Sequence, residues 1–475
     1  MFTAMTQTAP FRVALTPPGS CKITDLQIRA YVTLPSSMRE LLSSLTLSDS
    51  ARDRVDRMKS FTKKQREMMR ERRINVIKKL KSKFPRRSID IKAADPSWYN
   101  SEGLPLSARD DRGRFIIPWD EGACDKKFTD FLKWRWERFF KRDPEPEGRE
   151  EMPMVEFVDS EGLLGGVELT WIGHSTCFVR VGGVTILTDP VLSQRCSPSQ
   201  YVGTERFVPP AATLDDLPDV DVVLISHDHY DHLDYNTILA LGKSSPSTLF
   251  YVPMGTKQFL VEDCNIEPER VTEMEWWEEA SFRDGDAKIV CTPAQHWCSR
   301  TPWDRNARLW CSWVVEANDA KGGMVGIGDA KQIGDAKQIG KEDSGKPLKF
   351  FFGGDSGRPK YFPLFSLIGD KYGPFDLAAL PIGAYSPTWF MQSAHCSPLE
   401  AIKMHGELGA KQTVGIHWGT FPLADEVFYE PAQLLKAGCD QAGVSFDEDF
   451  VLLRHGETLR AGENNDTTRK LASLL

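Results

Sequence analysis

At 475 residues with 41% hydrophobic content, the chain is long enough for one large folded domain with extensions, or for two to three ordinary ones at roughly 150 residues each. No apolar run reaches the roughly 18 residues of a spanning helix, which excludes an obvious transmembrane segment. The ten cysteines contain no C-x-x-C pair, which excludes a sulfur-ligated zinc site of that spacing and argues for reduced thiols in an intracellular setting.

The first 24 residues carry no acid, several Thr and Pro, and the basic Arg12 and Lys22; residues 1–50 are read as an unstructured or organelle-targeting terminus. From Arg52 to Arg87 there are sixteen Lys/Arg against four Asp/Glu, so a formal net charge of -8 hides a strongly basic segment. Within it Ile74, Ile77, Leu80 and Phe84 recur at helical spacing until Pro85. Such a helix suits an anionic lipid surface, a nucleic acid, or simple packing on the main domain. A second helix is predicted in FTDFLKWRWERFFKR, with Phe128, Phe131, Leu132, Trp136, Phe139 and Phe140 on one face; docking on the core and contact with a membrane are both open to it. Residues 51–160 thus form a largely helical extension.

After Gly162 the texture changes to short β-branched runs, among them VELTWIG, VTILTDP, DVVLISH, AKIVCTPA, LKFFFGGD, FDLAALPIGA and QTVGIHWG. Helical patterns lie between several of them: YNTILALG, GTKQFLVEDC, LFSLIGDKYG, SPLEAIKMHGELGA and EPAQLLKAGCD. An α/β layered domain over 161–460 follows, with a tail at 461–475. The hexamer GDAKQI occurs twice in tandem from Gly328 to Ile339 and reads as an enlarged polar surface loop.

The chemistry concentrates in SHDHYDHLDYN. His227, His229, Asp231 and His232 form H-x-H-x-D-H directly after a buried-type strand, in a chain with nine histidines. Imidazole nitrogen and carboxylate oxygen suit zinc and similar divalent cations, and ligands at alternate positions of a turn can converge on one site. Further ligand types stand at later strand ends: His296, Asp355 and His417. His174, in WIGHST, is expected to support the site by hydrogen bonding. His405 and His455 are read as surface or packing residues.

The order and strand context of these seven side chains resemble a binuclear metallo-β-lactamase-fold hydrolase, which implies a four-layer αββα sandwich. Within that superfamily the segments WIGHST, LTDPVLSQRCSPSQY, LISHDHYDHLDYN, QHWCSRT, GGDSG, WFMQSAH and IHWGTF resemble the N-acyl-phosphatidylethanolamine-hydrolysing phospholipase D family, from about Glu168 to Glu457. The resemblance implies two divalent ions, expected to be zinc. His227, His229 and His296 would hold one, Asp231, His232 and His417 the other, and Asp355 would bridge them. It implies hydrolysis of N-acyl-phosphatidylethanolamine to N-acylethanolamine and phosphatidic acid, a bridging hydroxide attacking phosphorus. Tyr230 and His395 match positions that contact substrate, and His395 would meet the phosphate or the leaving group. Family members work at membrane surfaces, often as dimers, so a peripheral membrane association, mitochondrial or endomembrane, and a homodimer are expected; no nucleic acid partner is. The rival readings are a metallo-β-lactamase-fold hydrolase of a soluble phosphoester or sugar-phosphate lactone, a nucleic-acid phosphodiesterase, and an inactive membrane scaffold.

Overall fold

The computed structural model describes residues 96–119, 128–140, 152–158, 165–319 and 346–462. The basic segment 52–87, the GDAKQI repeat and the tail beyond 462 lie outside them. The chain divides into Met1–Asn75 and Val76–Leu475, and all described residues belong to the second unit.

Two seven-stranded sheets make up the body. In the first, β1 (Val167–Gly173), β2 (Thr176–Val181) and β3 (Val184–Thr188) form an antiparallel meander. Next to β3, the strands β4 (Val222–Leu224), β5 (Leu249–Pro253) and β6 (Val271–Met274) continue in parallel. The second sheet runs β7 (Glu279–Phe282), β8 (Ala287–Thr292), β9 (Ser312–Ala317) and β10 (Leu348–Phe352) as a meander. It then continues in parallel through β11 (Phe375–Pro381), β12 (Ala410–Ile416) and β13 (Phe450–Val451). The last strand, β14 (Thr458–Arg460), returns to pair antiparallel with β1 and closes the edge of the first sheet.

The period-2 alternation of side chains explains why these strands are apolar throughout. Leu169, Trp171, Val222 and Leu224 join Ile289, Val314 and Phe351 in the core between the sheets. Their neighbours Ile172, Val223 and Ile225 point the other way and pack with Ile238 and Leu241 of helix α2 (Tyr235–Ser244). Helix α1 is Phe128–Phe140, and α3 (Leu364–Tyr372), α4 (Thr388–Met391), α5 (Pro398–Leu408) and α6 (Glu430–Ala442) follow in the second half. Helix α5 packs on β11 and β12 and lies between α3 and α6, so helices cover both outer sheet faces and the expected αββα layering is present. Ser397 and Glu400 form a capping box at the start of α5, with Pro398 at its first position, and Gly409 ends it at φ 66°.

Three strands had no apolar signature in the sequence: β6, β7 and β14. Each lies at or next to a sheet edge, where one face meets solvent; β7 reads Glu-Ala-Ser-Phe with only Phe282 buried. The helix expected in GTKQFLVEDC shortens to a single wide turn at Phe259–Asp263. The eight described cysteines are all free, and seven of them are buried.

Candidate metal centre

The strands deliver their ligand-type residues to one rim. Three residues beyond the end of β4 the chain enters the 227–233 loop, a tight turn in which the amides of His232 and Leu233 donate to the His229 carbonyl at 3.0 and 2.8 Å. His296 follows β8, Asp355 follows β10 and His417 follows β12 directly. Among the described residues four overlapping donor groups form, each with its ligand atoms within 4.8 Å of one another: Asp189, His227 and His232; His296, Asp355 and His395; and the two that hold most of the expected ligands, His227, His229 and His296, and His174, Asp231, His232 and His417. Asp355 stands between the last two. Its Oδ2 lies 3.2 Å from His232 Nε2 and 3.8 Å from His296 Nε2, and its Oδ1 is 3.0 Å from His417 Nε2.

Hydrogen bonds set the tautomers. The Nδ1 of His227 donates to Ser226 Oγ at 2.9 Å, that of His232 to Asp189 Oδ2 at 2.6 Å, and that of His296 to the Ala394 carbonyl at 2.9 Å. Each of these bonds engages Nδ1 and leaves Nε2 toward the cluster, the orientation a metal-ligating imidazole requires. His229 is turned the other way, with Nδ1 facing His227 Nε2 at 2.8 Å and His296 Nε2 at 3.2 Å.

The residues fit divalent cations. His229 Nε2, His232 Nε2, His417 Nε2 and Asp355 Oδ1 are buried without a hydrogen-bond partner, a costly condition that a coordinated cation relieves for those facing the cluster. Burial lowers His227 and His296 well below the ordinary imidazole range and His229 to about 4, so all three are neutral. Burial pushes Asp231 and Asp355 up, but the facing imidazoles, His232 foremost, pull both well below the carboxylate range. His417 is raised to about 9, because Asp355 and Asp231 outweigh its burial. Two buried carboxylates thus draw protons onto neighbouring rings, positive charge that a divalent cation can replace.

His174 is buried and neutral, its pKa lowered to about 3 by burial first, and its Nε2 lies 2.9 Å from Asp231 Oδ2. It therefore supports the cluster by hydrogen bonding. His455, also buried, stacks on Trp171 with ring centroids 4.2 Å apart, and His405 bonds Thr413 Oγ1 at 2.8 Å, so both are packing residues. His395 sits just before the α5 cap with Nδ1 3.7 Å from Asp355 Oδ2; burial lowers it to about 4, which makes it a neutral hydrogen-bonding group. The Tyr230 hydroxyl donates to the Arg300 carbonyl at 2.7 Å.

Sequence reasoning missed Asp189 and Ser226. Asp189 is fully buried and accepts from the Ser226 amide at 2.7 Å and hydroxyl at 2.5 Å as well as from His232. Its only signal was an acid directly after the apolar run of β3. Trp134 of helix α1, which the spacing left off the apolar face, is also a docking residue. Among the described side chains of α1, Trp134 is buried, stacked on Phe390 of α4 at 5.3 Å, while Leu132 and Trp136 are exposed. The partner ring of Trp134 lies more than 250 residues away in the chain.

A family described as beta-lactamase superfamily domain matches residues 184–345 and 341–418. The chain is 37% identical to N-acyl-phosphatidylethanolamine-hydrolyzing phospholipase D 1 of Caenorhabditis elegans, over 63% of this chain and 77% of that protein. It is 32% identical to the mitochondrial N-acyl-phosphatidylethanolamine-hydrolyzing phospholipase D of Saccharomyces cerevisiae, over 60% of this chain and 54% of that one. A metal-dependent hydrolase of Rubrobacter xylanophilus is 26% identical over 55% of this chain and 85% of its own length.

Proposed function

From the premise that the chain belongs to the N-acyl-phosphatidylethanolamine-hydrolysing phospholipase D family of metal-dependent hydrolases, we propose that it cleaves N-acyl-phosphatidylethanolamine to N-acylethanolamine and phosphatidic acid. The observation that carries this is the position of Asp355 between two donor groups. In this reading His227, His229 and His296 hold one cation, and Asp231, His232 and His417 hold a second. Asp355 is shared, and zinc is the metal its nitrogen-rich donor set suits best. Bound cations supply Lewis acidity, which makes water nucleophilic near neutral pH and offsets the charge of a phosphodiester.

The protein's own groups then do the positioning. His174 holds the Asp231 carboxylate, and Asp189 and Ser226 hold His232 and His227, so the ligands meet the reaction already oriented. His395, neutral and at the rim of the cluster, donates a hydrogen bond to a phosphate oxygen or to the leaving alkoxide. Tyr230 shapes the substrate side of the loop through its bond to Arg300. We assign residues 161–460 to the catalytic domain and, of the preceding 51–160, the α1 segment to membrane contact, since residues 96–119 pack in the main core through Tyr99, Leu104, Phe115 and Ile117. The exposed Leu132 and Trp136 of α1 support that assignment, since α1 packs on α4 a few residues from His395. No described helix is long and apolar enough to cross a membrane. The association in this reading is peripheral, on a mitochondrial or endomembrane surface, with a homodimer as the working form.

The test is product analysis by mass spectrometry after incubating metal-loaded protein with N-acyl-phosphatidylethanolamine in detergent micelles, with a chelator control. Chelator-sensitive release of both products establishes the reaction and its bond choice. Absence of product from a metal-filled protein overturns the lipid substrate and directs the search to soluble phosphoesters and lactones.

A further inference from the structure

Directly after His296 the chain makes an excursion, from Trp297 to Arg308, that returns to grip the 227–233 loop. Arg300 Nη1 donates to the carbonyls of Asp228 and Leu233 at 2.8 and 2.9 Å, which ties the two ends of that loop to one guanidinium. The Tyr230 hydroxyl donates back to the Arg300 carbonyl, and the guanidinium lies 4.2 Å above the Tyr230 ring. Arg308 Nη1 bonds Asp228 Oδ2 at 2.9 Å and Asp304 Oδ2 at 3.0 Å. Asp228 is completely buried, between His227 and His229 in sequence. Asp304 in turn shapes the excursion, accepting from the amides of Arg300 and Thr301 at 3.0 and 2.7 Å.

This architecture matters for one ring in particular. His227 and His296 are oriented by hydrogen bonds from Nδ1 to Ser226 and Ala394, whereas His229 spends its Nδ1 facing the other two and has no partner at Nε2. Its ring is instead held from the side by Trp297, edge to face at 4.3 Å, and Trp297 is itself covered by the Arg305 guanidinium at 4.3 Å. A ligand without an orienting hydrogen bond depends on its backbone and its packing for aim.

We propose that Arg308, acting on Asp228, and Trp297, packed against the ring, are positioning residues that set His229 and so the affinity of the His227–His229–His296 cation site, leaving the Asp231–His232–His417 site unaffected. The proposal rests on the two-cation reading given above and adds to it an unequal dependence on the 297–308 excursion.

Apo full-length protein, prepared by chelator dialysis, is titrated with Co2+ and followed by d–d absorption and equilibrium dialysis. Wild type is expected to bind two equivalents. In Arg308→Met and in Trp297→Leu, which leaves the buried ion pair intact, one equivalent weakens by about tenfold to a hundredfold, with a changed d–d spectrum, while the other keeps its affinity. Arg308→Lys, which keeps a cation beside Asp228, recovers part of the loss. Equal weakening of both equivalents, or unchanged Co2+ binding with only a lower melting temperature, overturns the positioning role and leaves two-cation binding standing. Wild-type protein that takes up no Co2+ overturns the cation reading, and the positioning role with it.

Discussion

Asp189 Oδ2 lies 2.6 Å from His232 Nδ1, with both side chains fully buried. The same carboxylate takes the Ser226 hydroxyl, which accepts from His227 Nδ1, so one acid orients one imidazole in each donor group. Burial raises Asp189, and the paired His232 and Ser226 pull against that rise. Asp189→Ala should therefore weaken metal binding at both positions by about tenfold to a hundredfold. It should also cost about 3 to 5 kcal/mol of folding stability, because it leaves a buried partner uncompensated. Chelator competition and denaturant unfolding check the two halves, and a normal metal content would remove Asp189 from the site's support.

Asp355 lies within 4 Å of rings from both groups. Asp355→Asn is expected to lose both metal equivalents by elemental analysis and at least about a thousandfold of activity, since loss of a shared charge affects electrostatic stabilisation at two cations. Retention of either equivalent at wild-type affinity would show that the carboxylate is not shared.

His455 offers a pH test away from the proposed ligands. Burial first, then Arg206 and His174, lowers it to about 3, against an ordinary value near 6.5. A folded-state pKa below the unfolded one contributes stability that is complete above about pH 6.5 and is lost as pH falls toward 3, because the unfolded imidazole takes a proton that the folded one refuses. Wild type should therefore lose its stability advantage over His455→Gln between pH 6.5 and 4, by up to about 1.4 kcal/mol per pH unit. Parallel pH profiles for the two proteins would contradict this.

A Cβ at Gly383 would land on the carbonyl oxygen of His417. His417 has φ 63° and donates its amide to the His174 carbonyl at 2.9 Å; His174 has φ 54°. Gly383→Ala should displace the Asp231–His232–His417 group and cost about 1 to 3 kcal/mol by overpacking, with the melting temperature and metal stoichiometry as readouts. Wild-type stoichiometry would mean that the β12 rim yields without moving His417.

What the chain determines locally is legible in the order of its residues. The H-x-H-x-D-H run, the ligand types just beyond β8, β10 and β12, and the two-sided apolar strands all depend on residues close in sequence, where spacing and burial preference carry the information. Tertiary structure alone decided three other things. It joined Asp189 to His232 and Arg308 to Asp228 across 43 and 80 residues, because buried acids and guanidinium groups find whichever partner packing brings near. It buried Trp134 of α1 by supplying the ring of Phe390. It also forced the non-glycine residues His174, Asp189 and His417 into left-handed backbone conformations, which only a surrounding network of hydrogen bonds can sustain.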